Sequence, residues 1–176
     1  MKKIKDRILL GAIAGLGANT VKTALGLTLM KKGWAEINGI HRAAGMLVPP
    51  HKIADPKGRM VGILADNVIA GILGVCSVYI LSVTGKNNAV IKGTLTGQAM
   101  WTSLYGVLGT LGATKINPVS PDTVISEFVE HSVYGGVANI IATKLGDPGL
   151  FDGTIPLKPS SQQGIPQSQS YAKNIR

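Results

Sequence analysis

The chain has 176 residues, of which 45% are hydrophobic and only 15% charged, with 23 glycines and a net charge of +9. A length of one domain and a charged share well below the roughly 25% of soluble domains argue against an ordinary soluble enzyme. The single Cys76 excludes an intrachain disulfide or a thiolate metal framework, and basic residues that punctuate apolar stretches, with no aromatic-interleaved stripe, argue against nucleic acid.

A hydrocarbon core of roughly 30 Å needs about 20 apolar residues per helix, and four segments reach that length. The first spans residues 8–30 (ILLGAIAGLGANTVKTALGLTLM) after the basic start MKKIKDR. Its glycines, Gly15-Leu16-Gly17-Ala18-Asn19-Thr20, nearly spell a dinucleotide-binding loop. That fold needs a preceding strand, a glycine at the sixth position and alternating strands and helices afterwards. Thr20 holds the sixth position and long apolar helices follow, so the nucleotide reading fails. Gly11 and Gly15, four apart, serve instead for close helix packing in lipid. The same end mimics a secretory signal with Ala18 as the cleavage point. The apolar run continues past Ala18, which favours an uncleaved helix.

Residues 34–48 (WAEINGIHRAAGMLV) put Trp34, Ile37, Ile40, Ala44 and Leu47 on one helical face. This describes a helix lying in the membrane interface or one packed on the bundle, and Pro49-Pro50 ends it. The second span, residues 61–83, follows Asp55-Pro56, a cap and first-turn proline. Gly85 and Asn87-Asn88 then mark a tight turn. The third span covers 89–112, with Gly93, Gly97, Gly106 and Gly109 as packing glycines. Asn117-Pro118 and Ser120-Pro121-Asp122 separate it from the fourth, residues 123–143. From Asp147 the composition turns to Pro, Ser and Gln, and residues 147–176 read as a disordered polar tail.

The sequence thus predicts an all-α, polytopic membrane bundle of four transmembrane helices plus an interfacial helix within residues 1–146. Both termini would lie on one side. That side carries ten basic residues against seven on the other, which puts the termini in the cytoplasm of a bacterial membrane.

Charges inside spans cost about 2.5–3.5 kcal/mol on insertion scales. Lys22, Asp66, Glu127, Glu130 and His131 all fall roughly 6–12 Å below the same surface at 1.5 Å per residue. One lysine and three carboxylates at a common depth can neutralise each other. Asn67 adjoins Asp66, while Glu127, Glu130, His131 and Tyr134 share one face of the fourth span. Spans two and four each carry an acid with a polar neighbour after a proline cap and before a glycine (Gly71; Gly135), a faint two-plus-two repeat. Each residue also has a bland role, as a snorkelling lysine, a headgroup-level acid or interhelical glue. Glu127-x-x-Glu130-His131 has metal-ligand spacing, but no complementary motif exists within the spans, so no metal is expected.

The stretches GAIAGLGANTVKT, DPKGRMVGILADNVIAGILG, KGTLTGQAMW, ATKINPVSP and EFVEHSVYGGVA resemble a group of small four-span membrane proteins of spore-forming Gram-positive bacteria, uncharacterised in activity. The resemblance covers residues 5–146. It implies an integral protein of the bacterial cytoplasmic membrane and supplies no activity. No nucleophile–base pair or phosphate loop stands at useful spacing, so no enzyme and no cofactor are expected. Two roles remain. One is a structural or assembly component, meeting a partner membrane protein or further copies of itself in the bilayer. The other is a small proton- or ion-coupled transporter or channel subunit built on the polar layer.

Overall fold

A computed structural model of the chain describes residues 3–116 and 119–153. All regular elements in them are helical: α1 (Arg7–Lys31), α2 (Gly39–Leu47), α3 (Pro56–Thr84), α4 (Ala89–Trp101) and α5 (Pro121–Leu145). A π-helical stretch, Thr102–Leu108, continues α4, and short 3-10 turns occupy Pro50–Lys52 and Pro148–Phe151. Two helices, α1 and α3, are long and apolar enough to cross a membrane by length and composition.

The helix starts follow local chemistry. The carboxylate of Asp6 accepts a hydrogen bond from the Leu9 amide at 2.7 Å and caps α1. Ser120 does the same for α5 through the Thr123 amide, with Pro121 in the first turn. At α3 the proline stands as expected, but Asp55 makes no capping bond and pairs with Lys52 on the surface at 3.3 Å. The α3–α4 turn uses positive φ at Gly85 and Asn88, 76° and 56°, conformations that glycine and asparagine tolerate best.

Glycine decides which helices touch. A Cβ on Gly15 would strike the Ala70 carbonyl, and one on Gly74 would strike Gly11 and Gly15, so α1 and α3 meet backbone to backbone. The pairing of α4 with α5 repeats this pattern. Gly97 abuts the His131 carbonyl, and Gly93 and Gly135 face one another. The two hairpins then join along α1 and α5, giving the spatial order α3–α1–α5–α4, with α3 and α4 in little mutual contact. Of the glycines expected to pack, Gly106 does not: a Cβ added there would come no nearer than 3.6 Å to its closest neighbour, the Thr102 methyl. Gly109 is buried.

Among the described residues, buried polar side chains are nearly as numerous as buried apolar ones, while many large apolar side chains are exposed. Leu10, Ala14, Val78, Leu81, Ala142, Leu150 and Phe151 form one buried apolar cluster. Elsewhere the interior holds Asn19, Lys22, Arg42, Asp66, Glu127, Glu130, His131 and Asn139, while Ile8, Leu16, Leu64, Val68, Ile72, Leu95 and Ile125 point outward. Water as the only solvent would favour the reverse.

Two expectations need correction. The helix predicted over 34–48 starts only at Gly39, because Asn38 caps it through the Ile40 and His41 amides. The preceding strap instead bonds α5, from the Glu36 amide to Thr123 and from Ser126 to the Trp34 carbonyl. Consequently Trp34 and Leu47 are exposed, and the face that α2 buries is Gly39, Arg42, Ala43, Ala44 and Gly45. Secondly, order continues past Asp147: Leu150 and Phe151 pack into the apolar cluster. The remainder of the predicted tail, from residue 154, lies outside the described residues, as does the Asn117-Pro118 separator. At the other end, Ile4 exchanges backbone hydrogen bonds with Leu145 and Asp147, at 3.0 and 2.9 Å, and so ties the start of the chain to the end of α5.

Candidate functional site: a buried charged layer

Lys22 points from α1 across to α3, where its Nζ lies 2.8 Å from Asp66 Oδ1. Both side chains are buried. One turn earlier on α1, Asn19 donates to Asp66 Oδ2 at 3.0 Å and to Asn67 Oδ1 at 3.4 Å. Both oxygens of the aspartate are therefore engaged. Asn67 also donates to the Ile63 carbonyl of its own helix. Gly39, the first residue of α2, covers the pair: a Cβ there would stand 2.9 Å from Lys22 Nζ and 3.1 Å from Asp66 Oδ1.

Glu127 does not join Lys22. Its carboxylate receives Arg42 in a two-point contact, Nε to Oε1 at 2.8 Å and Nη2 to Oε2 at 3.0 Å. Arg42 also donates to the Ile116 carbonyl, and its guanidinium lies 5.3 Å from the centre of the Tyr105 ring. A planar fork matches a carboxylate better than a lysine does. Small residues place it: α2 sinks against α3 where Gly62 abuts the Ile40 carbonyl and Ala44, and on its other side Gly45 lies against Thr114 and Ile116.

The other expected members sit close by with separate partners. His131 Nδ1 is 2.7 Å from the Glu127 carbonyl, and its ring meets Tyr105 edge to face at 5.4 Å. Tyr134 donates to the Ala70 carbonyl at 2.6 Å, tying α5 to α3. Glu130 is buried against Gly26 of α1, and its Oε1 has no hydrogen-bond partner among the described residues. A cavity of about 10 Å³, near the room one water needs, opens among Lys22, Asp66, Ala70, Tyr105, His131 and Tyr134. Among the described residues no group of three or more ligating side chains could hold a metal ion.

Every expected member of the layer is thus brought to one region, but as two separate ion pairs and a lone acid instead of one mixed cluster. Sequence reasoning missed Arg42, Asn19, Tyr105 and Asn38. Arg42 was countable only as a basic residue between spans; the signal available was its place in a run of small residues, GIHRAAG.

Outside the layer, His41 accompanies the cap of α2, with Nδ1 2.8 Å from Asn38 Oδ1. Burial, and then the nearby charge of Arg59, hold its imidazole below the usual range.

Comparison with known protein families, curated proteins and solved structures finds no match to this chain. The likeness to small four-span bacterial membrane proteins therefore rests on the sequence pattern alone.

Proposed function

We propose that the protein is an integral membrane protein with four spans, α1, α3, α4 with its π stretch, and α5. In this reading the charged layer is an assembly device, and α2 is a plug that closes over it. The observation that carries the reading is the buried pairing of Lys22 with Asp66 and Arg42 with Glu127 inside a bundle whose outer surface is apolar. In lipid, burial from water no longer selects helix partners, and buried polar contacts gain importance for that choice. Lys22–Asp66 joins α1 to α3, and Arg42–Glu127 joins α2 to α5. The backbone tie between Ile4 and Gly146 suits termini on one side of the membrane, and the basic flanks suit the cytoplasmic side. The exposed apolar faces are surfaces for lipid, for further copies of the chain or for a partner membrane protein.

The test is a pair swap. Lys22→Met alone strands the buried Asp66 carboxylate, a defect of about 3–5 kcal/mol, and should cut the yield of monodisperse protein in detergent. Lys22→Met combined with Asp66→Leu removes both charges and should recover it. Failure of the double variant to recover folding would overturn the assembly reading.

A second reading, a small proton- or ion-coupled transporter or channel subunit, is favoured by Glu130, which has no place in either ion pair, and by the small cavity beside the layer. It predicts that the recovered double variant, reconstituted in liposomes, loses a proton or ion flux that the native chain supports. Equal flux from the two would sink it.

A further inference from the structure

The seam between the two glycine-joined hairpins runs along α1 and α5, and Glu130 is the acid that lies in it. Its carboxyl lies against Gly26, in the space a side chain there would enter: a Cβ would stand 2.8 Å from Oε2 and 2.9 Å from the carboxyl carbon. Glu130 is 1% exposed, and Oε1 is buried without a hydrogen-bond partner among the described residues. The charges acting on it are Lys22 from α1, Glu127 from its own helix and Asp66 from α3. Arg42, from α2, is taken up by Glu127. His131, next in the chain, turns Nδ1 to the Glu127 carbonyl and meets Tyr105 of the π stretch edge to face.

Two bases therefore face three acids, and each base is already held at 2.8 Å by an acid other than Glu130. An unpaired carboxylate in a low-dielectric interior carries a large desolvation penalty, whereas a carboxyl that holds its proton leaves the layer neutral. We propose that Glu130 is a proton-binding site at the seam between the hairpins. One proton passes from water at the membrane surface to the carboxyl and returns the same way. With the proton bound, Lys22 serves Asp66 alone. With it released, Lys22 faces two carboxylates, and the contact between α1 and α3 competes with that between α1 and α5. A metal ion is the weaker occupant, because the Lys22 ammonium already acts on the site and no set of ligands surrounds it among the described residues. The inference rests on the membrane reading above.

Infrared difference spectroscopy on the full chain in lipid bilayers tests it. The expected result is a carboxyl C=O band that vanishes and returns as pH is cycled. It should move when glutamate carboxyls carry heavy carbon, survive Glu36→Gln and be lost in Glu130→Gln. Should Glu130→Gln fail to fold, Gly26→Ala serves instead, since its methyl presses on the Glu130 carboxyl and must shift the band. A band that persists in Glu130→Gln, stays unshifted in Gly26→Ala or moves with labelled aspartate overturns the proposal. So does the absence of any titrating band beyond that of Glu36. A chain washed from membranes at alkaline pH would sink the membrane reading and this one together; a chain retained there without the band sinks this one alone.

Discussion

Arg42 and His41 are neighbours in sequence with opposite fates. Arg42 is driven into the bundle because Glu127 needs a base and the surrounding side chains are too small to keep α2 away. His41 stays at the rim, half-buried, and caps the helix with Asn38. Its folded-state affinity for protons lies below that of the unfolded chain, so the unfolded state binds the extra proton. Stability is then complete above the ordinary histidine value near 6.5 and is lost progressively as pH falls from there through the lower folded-state value. Thermal melting in detergent should show a lower midpoint at pH 5 than at pH 7, and His41→Asn should flatten the difference. An unchanged slope in the variant would place the acid sensitivity elsewhere.

At the scale of elements, the helices were legible because they begin with a cap or proline, while Gly85 and Gly146 close α3 and α5 and Pro49-Pro50 follows α2. The four apolar segments, predicted at 8–30, 61–83, 89–112 and 123–143, coincide with α1, α3, α4 with its π stretch, and α5 to within a few residues. What the sequence hid has physical causes. An amphipathic period read from Trp34 counted residues that the strap to Thr123 and Ser126 pulls out of the helix. Polar composition after Asp147 masked two apolar side chains, Leu150 and Phe151, that fill the end of the bundle. The faint repeat in the sequence matches Asp66 with Glu130 through Gly71 and Gly135, but Gly71 faces open space while Gly135 meets Gly93. Gly15 meets the Ala70 carbonyl as Gly97 meets that of His131, so the contacts match Asp66 with Glu127 instead, each four residues earlier. Glycines of equal spacing are not equivalent, however. Gly97→Ala forces its methyl into a backbone carbonyl and should cost about 1–3 kcal/mol, as overpacking does. Gly71→Ala, with open space around it, should be neutral or better. Detergent melting of the two variants checks this; equal midpoints would refute the packing role.

For the molecule as a whole, the solvent is the premise. Cys76, the chain's only cysteine, lies on the outer side of α3 and is exposed. In native membranes a water-soluble maleimide should leave it unlabelled, while a lipid-partitioning thiol reagent should modify it. Ready labelling by the water-soluble reagent would place α3 in water and undo the four-span reading. The charged layer was legible at this scale as a common depth, because helix rise converts sequence position into height. Its pairing was not, because which base meets which acid depends on the lateral order of helices, and depth carries no such information.

The lateral order has a last consequence. Since α3 and α4 scarcely touch, the four long helices form a row, and a groove of about 440 Å³ separates the ends of that row. Leu73 and Leu104 line both this groove and the small cavity beside Lys22 and Asp66. Leu104 and the neighbouring Tyr105 are presented by the π stretch, where Thr102 and Ser103 bond back to the carbonyls of Gln98 and Ala99. A π turn is an ordinary helix carrying a surplus residue. If lipid surrounds the row, as proposed above, insulation of the ion pair from hydrocarbon hinges on a local miswinding: rewinding that turn would open a sideways path from the groove to the lysine.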